Sequence, residues 1–488
     1  MISGLVQWVN RASSHKNFYW LASLLITALG ALFRFIDLAT PSTLVFDETY
    51  YVKDAYTLGQ FGHEKQWPDD ANLSFEAGQP DVFLDEGSYV VHPPVGKWLI
   101  WFGIQLFGVT DSFGWRFSTA LLGTLAIPLL IAVANRLIGN RVFALMAGLF
   151  LAIEGHAVVL SRTAILDGML AFFVLMAFYF FVRDQQSWQH RVTQLALGAR
   201  GWLIAPRPWL LLSAISLGLA SGVKWSGIYF LAAFGLWSFV ADLGQRQRLG
   251  VKVWPAFAQA SVNAVTMIAA GLATYVASWS GWILSEGGWG RSAEPDWLSA
   301  LWAYHQNAYS FHTGLNSEHP YQANALQWLI SGRPTAFYYE SFEGEPCGVL
   351  DSCSIAITAM PNPLIWWGGV LAVFWLMLHF LRRFELGAGM IAVGFLAGWA
   401  PWLAYLGRTT FQFYAVVISP FLVLALVYAL HRFWRVGITQ FRRPQRERAI
   451  AIFVLVALGL ALFFATLWMG IPVPYWWWRI QMWFPFWI

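Results

Sequence analysis

Two adjacent carboxylates, Asp47 and Glu48, stand in FDETYYVKDAY, inside a polar stretch from Ser42 to Lys97 that separates segments apolar enough to enter a bilayer. Six cations fall at the outer ends of apolar segments: Arg34, Lys97, Arg116, Arg162, Lys224 and Arg408. A charge held out of water costs several kcal/mol unless it is paired or solvated, so convergence on a phosphate accounts for such a set. Snorkelling to lipid headgroups accounts for each cation singly, and Asp167 can neutralise Arg162. Arg116, Lys224 and Arg408 are the stronger phosphate candidates. Carboxylates opposite cations at a membrane surface fit sugar transfer from a lipid phosphate: a carboxylate takes the proton of an attacking hydroxyl while cations stabilise the departing phosphate. In that reading Asp47 is the base and Glu48 orients the acceptor or holds Asp47. The plainer reading of the pair is a solvated helix start.

These groups sit in a chain of 488 residues that is 58% hydrophobic and 11% charged, with 30 Trp and 39 Phe. Soluble domains carry about 25% charged residues, so the composition is that of an all-α polytopic membrane protein. Eleven spans are expected near 18–38, 116–135, 142–160, 164–182, 209–222, 225–241, 257–280, 363–381, 387–404, 411–431 and 449–469. The first reads as a retained span, without a small-residue cleavage site. Val95 to Val109 is short for a crossing and reads as an interfacial or re-entrant helix. Tyr50, Tyr51 and Ala55 recur at helical spacing, which predicts a helix lying along the membrane surface.

Charge asymmetry orients the chain. With the N-terminus cytoplasmic, the inner side receives Arg11, Lys16, Arg136, Arg141, Arg183, Arg191, Arg200, Arg207, Arg246, Arg248, Lys252, Arg382, Arg383 and the Arg432 to Arg448 cluster. The outer side receives most carboxylates, from Glu64 to Glu86 and at Glu340, Glu343, Glu345 and Asp351. The net charge of +4 is then a topology signal, dispersed in turns rather than gathered for nucleic acid. Residues 1–488 form a single membrane domain with a first outer loop at 39–115, a second large outer loop at 281–362, and C-terminal helices with a Trp-rich tail at 363–488. That tail reads as an aromatic anchor at headgroup depth. Cys347 and Cys353, the only cysteines, fall on the outer face and are expected to form a local disulfide. His92, His305, His312 and His319 are outer-side residues that line a substrate groove or simply make interfacial hydrogen bonds. No compact ligand spacing requires a metal.

Blocks along nearly the whole chain resemble the protein O-mannosyltransferase family of GT-C membrane glycosyltransferases: FDETYYVKDAY, HPPVGKW, FGWRFSTALLGTL, SRTAILD, SGVKWSG, the His/Tyr/Trp-rich stretch 304–339, NPLIWW and GRTTFQFY. The resemblance implies transfer of mannose from polyprenyl-phosphate-mannose to Ser or Thr hydroxyls of translocated proteins, near the translocon, without cofactor or metal. It implies Asp47 at the catalytic centre with Glu48 as partner and Arg116 near the donor phosphate; position at the outer ends of the spans and in the outer loops adds Lys224 and Arg408 as phosphate candidates and Tyr51, His92, Lys97, Arg162, Asp167, His305, His312 and His319 as candidates for a substrate groove. Eukaryotic members carry a β-trefoil in the second outer loop, and Gly281 to Pro361 is too short for one, so the chain resembles the bacterial form, in a plasma membrane with an extracytoplasmic site. GT-C relatives that transfer aminoarabinose or other sugars to lipids, and a secondary transporter of an anionic solute, are the competing expectations.

Overall fold

The computed structural model describes residues 15–198, 204–344, 347, 352–435 and 443–488. Arg11, Arg200, Glu345 and Asp351, used in the charge argument, lie outside the described residues.

Apolar content and helix-stop chemistry build a bundle of long helices. Among the described residues nine helices are long and apolar enough to cross a membrane: Lys16–Phe35, Ser112–Ile138, Leu166–Ala196, Gly227–Arg248, Trp254–Ser278, Pro363–Arg383, Leu386–Tyr405, Gln412–Arg435 and Arg443–Met469. A tenth is a bent pair, Arg141–Ala152 and Gly155–Arg162, meeting at 54°. The break is chemical: Glu154 caps the second half by accepting from the backbone N–H of His156 and Ala157, at 3.3 and 2.8 Å. The expected count of eleven is therefore not reached by length and composition. Pro208–Val223 has 16 residues, about 24 Å of helix, against roughly 30 Å of hydrocarbon.

Small residues set the spacing where the outer elements meet the bundle. A Cβ on Gly103 would strike the carbonyl of Gly114, so helix Val95–Phe107 lies directly against Ser112–Ile138. Gly123 likewise admits the Ser161 hydroxyl. Leu166–Ala196 and Gln412–Arg435 are the most enclosed spans, whereas Leu21, Leu24, Leu25, Val265, Ile268 and Leu272 stay on the outside, as lipid-facing positions should.

Helix Glu48–Phe61 is largely covered by other elements: Tyr51, Val52, Asp54, Ala55, Thr57 and Leu58 are buried, and only the Tyr50 side of the pattern faces out. It packs on Val95–Phe107 so closely that a Cβ at Gly59 would collide with the Trp101 ring. The second outer region is not wholly helical, because strands Ala336–Glu343 and Ser352–Thr358 pair antiparallel, with aromatic and β-branched residues suited to a pleated half-buried surface. Cys347 and Cys353 are disulfide-bonded beside this sheet. The Trp-rich tail, finally, is partly core: Ser354 and Val473 exchange backbone hydrogen bonds, Trp478 and Trp487 are buried, and Trp487 Nε1 donates to the Ser331 carbonyl at 2.9 Å. Tyr475, Trp476 and Trp483 remain exposed for an interfacial role.

Candidate active site

Asp47 forms the N-terminal boundary of helix Glu48–Phe61, and its neighbours explain why its position is fixed. Phe46 has φ 49°, a left-handed conformation uncommon for a bulky residue. Its ring is wedged among Phe337, Phe411, Phe413 and His319, with centroids 5.4 to 5.7 Å away, which retains that backbone. Glu48 is 0% exposed and Arg116 1%. Each Glu48 oxygen accepts twice: Oε1 from Arg116 Nε at 2.8 Å and Ala164 N at 2.7 Å, Oε2 from Arg116 Nη2 at 2.8 Å and Val45 N at 3.0 Å. Arg116 also donates to the carbonyls of Leu38, Pro41 and Thr43.

That network bears on two assignments. All five Arg116 N–H groups are spent on Glu48 and on the first outer loop, so Arg116 has no donor to offer a phosphate. Glu48 in turn is sealed behind the loop and acts on Asp47 only through the backbone it anchors. The pair is a structural bolt, and the opposite charge that made Arg116 look like a phosphate ligand is consumed inside the protein.

Asp47, by contrast, has a single side-chain hydrogen bond: Tyr51 Oη donates to Oδ2 at 3.3 Å. Burial, then the Asp167 carboxylate, push the Asp47 carboxyl up to about 6, with Lys224 opposing the rise. Lys224 Nζ is 2.7 Å from Asp167 Oδ2 and lies 4.7 Å from the centre of the Tyr414 ring. Lys224 and Asp167 line a cavity of about 130 Å³ that also meets His92, His312, Tyr414 and Arg408. At roughly 10–15 Å³ per water, that space holds more than one small polar group.

Arg408 is built differently from Arg116. Its Nε donates to the His312 carbonyl at 2.8 Å and its Nη2 to His312 Nδ1 at 3.2 Å, while Nη1 is buried without a partner. Because Nδ1 accepts, His312 carries its proton on Nε2, which donates to the Val91 carbonyl at 3.0 Å. Burial and the nearby Arg408 and Lys224 charges push His312 down to about 4, which keeps that neutral tautomer. The His92 ring lies 5.4 Å from that of His312, tilted by 31°, and is held well below the ordinary imidazole range, chiefly by burial and then by Lys224. An orphaned guanidinium N–H in a cavity that a lysine also lines is a site for an anionic oxygen.

The remaining candidates divide. Lys97 pairs with buried Glu64 and donates to the His92 carbonyl at 3.2 Å, behind the cavity wall. Arg162 caps carbonyls of Phe33, Ile36, Asp37 and Met469, fastening the end of the first span, and Asp167 neutralises Lys224 instead of it. Arg34 serves the Gly30, Leu151 and Ala152 carbonyls in the same manner. His305 accepts or donates at Tyr275 Oη, 2.6 Å away, and stacks on Trp225, whereas His319 belongs to the ring cage of Phe46. Sequence reasoning missed the cavity's aromatic lining, Trp225, Tyr229, Tyr309, Trp402, Tyr405 and Tyr414. The signal was present in SGVKWSG and GRTTFQFY, but helix order alone does not bring those blocks together. Among the described residues no three His, Cys, Asp or Glu side chains gather as a metal site.

A many-helix membrane bundle whose long loops place an acid with a single hydrogen bond close to Lys224, in the wall of a cavity that Arg408 also lines, defines a glycosyltransferase of GT-C architecture. The profile of the family described as "Dolichyl-phosphate-mannose-protein mannosyltransferase" matches residues 24–285, and the chain belongs to that family. It is 30% identical to the Polyprenol-phosphate-mannose–protein mannosyltransferase of Mycolicibacterium smegmatis, across 96% of this chain and 93% of that one. The protein of the same name in Corynebacterium glutamicum is 31% identical with the same coverage. A solved chain of the S. cerevisiae protein O-mannosyltransferase Pmt1-Pmt2 complex bound to the sugar donor superposes with TM-score 0.76 at 14% identity, covering 96% of this chain and 92% of that chain, a likeness of fold.

Proposed function

We propose that this enzyme transfers mannose, with inversion, from polyprenyl-phosphate-mannose to Ser or Thr hydroxyls of translocated proteins, with Asp47 as general base. Family membership supports the reaction class, and the observation that carries the residue assignment is the closeness of Asp47, whose one side-chain hydrogen bond comes from Tyr51, to Lys224, which lines the cavity where Arg408 Nη1 is unpartnered. In this scheme the acceptor hydroxyl oxygen attacks the anomeric carbon from the face opposite the phosphate. The bond from that carbon to the phosphate oxygen breaks, its electron pair leaves with the phosphate, and the hydroxyl proton passes to Asp47. Lys224 and Arg408 stabilise the leaving charge. The lipid-linked sugar is a substrate, and no cofactor enters the step.

Positive residues on one set of loops support a cytoplasmic N-terminus and an extracytoplasmic site in a bacterial plasma membrane. With the bilayer locally thinned, Pro208–Val223 serves as the eleventh crossing in this arrangement, with Lys224 at its outer end. The experiment is an assay in membranes with labelled polyprenyl-phosphate sugars and a Ser/Thr peptide. Mannose on the peptide is expected. Label recovered on lipid with none on peptide would redirect the function to lipid glycosylation.

A further inference from the structure

At the end of the bundle remote from Asp47, helices Pro363–Arg383 and Ser419–Arg435 finish and Arg443–Met469 begins. Their other ends are tied to the site side: Trp366 Nε1 donates to the Trp328 carbonyl, Tyr414 lines the site cavity just before Ser419, and the Met469 carbonyl accepts from Arg162. Pro363–Arg383 has 21 residues, about 30 Å of helix, so its two ends belong to opposite membrane faces.

Between the remote ends lies a crevice of about 680 Å³, lined by Arg382, Arg383, Arg432, Arg446, Trp375 and Phe433 among others. Glu385 is the carboxylate beside it, 3.3 Å from Arg432 Nη1 and 3.2 Å from His379 Nε2. Arg446 Nη1 donates to the Phe433 carbonyl at 2.7 Å, which orients its guanidinium along the crevice wall. Arg382 and Arg383 are exposed and make no hydrogen bond or ion pair with any described residue. Four guanidiniums thus face one carboxylate around an open, ring-lined space. The same helix carries an exposed apolar row, Leu371, Trp375, Leu378 and Leu381, leading from the crevice along the bundle's outside. A topology bias explains arginines at this membrane face, but not their convergence on a cavity that continues into a lipid-facing strip.

We propose that this crevice binds an anionic phospholipid, its phosphodiester held by Arg382, Arg383 and Arg446 and its acyl chains along Leu371, Leu378 and Leu381. Basic pockets between helix ends take such headgroups because guanidiniums match phosphate oxygens while adjacent apolar helix surface takes the chains. The inference is independent of the reaction at Asp47.

Native mass spectrometry of the full-length protein, titrated with phosphatidylglycerol or phosphatidylcholine, tests it. Phosphatidylglycerol should bind selectively, and R382Q/R383Q should weaken it about 25-fold, at roughly fivefold per basic residue near an anionic headgroup. Those side chains hold nothing else in place, so the variant should fold. K16Q/K252Q, with the same charge change at exposed lysines outside the crevice, should leave binding unchanged. Equal loss in both double variants, or equal binding of the two lipids, overturns the site. A tripolyphosphate arm separates the sources of phosphate: retention of lipid in its presence supports a lipid site, and complete displacement with tripolyphosphate bound in its place overturns it.

Discussion

Glu48→Gln should behave as a folding defect, although Glu48 is adjacent to the proposed base. Each Glu48 oxygen faces two N–H donors, one pair being Arg116 Nε with Ala164 N and the other Arg116 Nη2 with Val45 N. A glutamine amide keeps one oxygen, so in either orientation its NH2 group confronts two donors and two hydrogen bonds are lost. Two buried donors left unsatisfied cost roughly 1–3 kcal/mol each. The Arg116 charge also loses its counter-ion in a site 1% exposed, and breaking a buried pair from one side costs about 3–5 kcal/mol. These two routes to the number describe the same loss and agree. Polytopic proteins unfold irreversibly, so the readout is the half-life of detergent-solubilised protein at elevated temperature. If the whole cost falls on unfolding, the half-life shortens by roughly 10²- to 10³-fold or more. Arg116→Ala should do the same, with any surviving folded fraction binding donor. An E48Q protein with wild-type half-life and donor KM but abolished kcat would refute this reasoning and return Glu48 to the reacting atoms.

Other outcomes follow from the same geometry. Asp47→Asn should keep stability and donor binding while cutting single-turnover transfer by roughly 10²- to 10⁴-fold, the range for loss of a general base; near-normal turnover removes the assignment. Since burial raises the Asp47 carboxyl to about 6 and the base must be ionised, kcat/KM should rise with pH through that value and level off above it, and the residual activity of D47N should lack this limb. Arg408→Ala should raise the donor KM roughly 10- to 100-fold, the worth of a charge-assisted hydrogen bond, and His312→Phe should raise it less, with H312N recovering part because its amide oxygen can replace Nδ1; unchanged KM in both would take the phosphate away from Arg408. Single cysteines near Asn72 and Asn316 should react with impermeant reagent on intact cells while one near Gln189 is protected, and the reverse pattern would invert the topology.

Chain order and composition were enough for the membrane bundle, the family and the chemistry-bearing stretches, because hydrophobic length and fixed motifs are local properties of sequence. Asp47 was legible for the same reason: an acid in a polar loop between spans, followed by a helix. What the sequence could not apportion was charge. Arg34, Arg116, Arg162 and Arg408 all read alike as cations at span ends, yet Arg116 is consumed by carbonyls and Glu48, Arg34 and Arg162 are turned to carbonyls of the first spans, and only Arg408 of the four lines the site cavity, with Nη1 unpartnered. Which fate each meets depends on partners far away along the chain, such as Glu48 for Arg116, 68 positions off, and Met469 for Arg162, 307 positions off. The covered face of helix Glu48–Phe61 and the buried tryptophans of the tail are hidden to periodicity for a related reason: in an apolar chain, bilayer-facing and protein-facing positions use the same residues. The sequence by itself determined that carboxylates and cations would meet at a membrane surface. Only the tertiary structure decided which of them neutralise each other and which are left to meet a substrate, because pairing is settled by three-dimensional distance and the supply of buried hydrogen-bond acceptors.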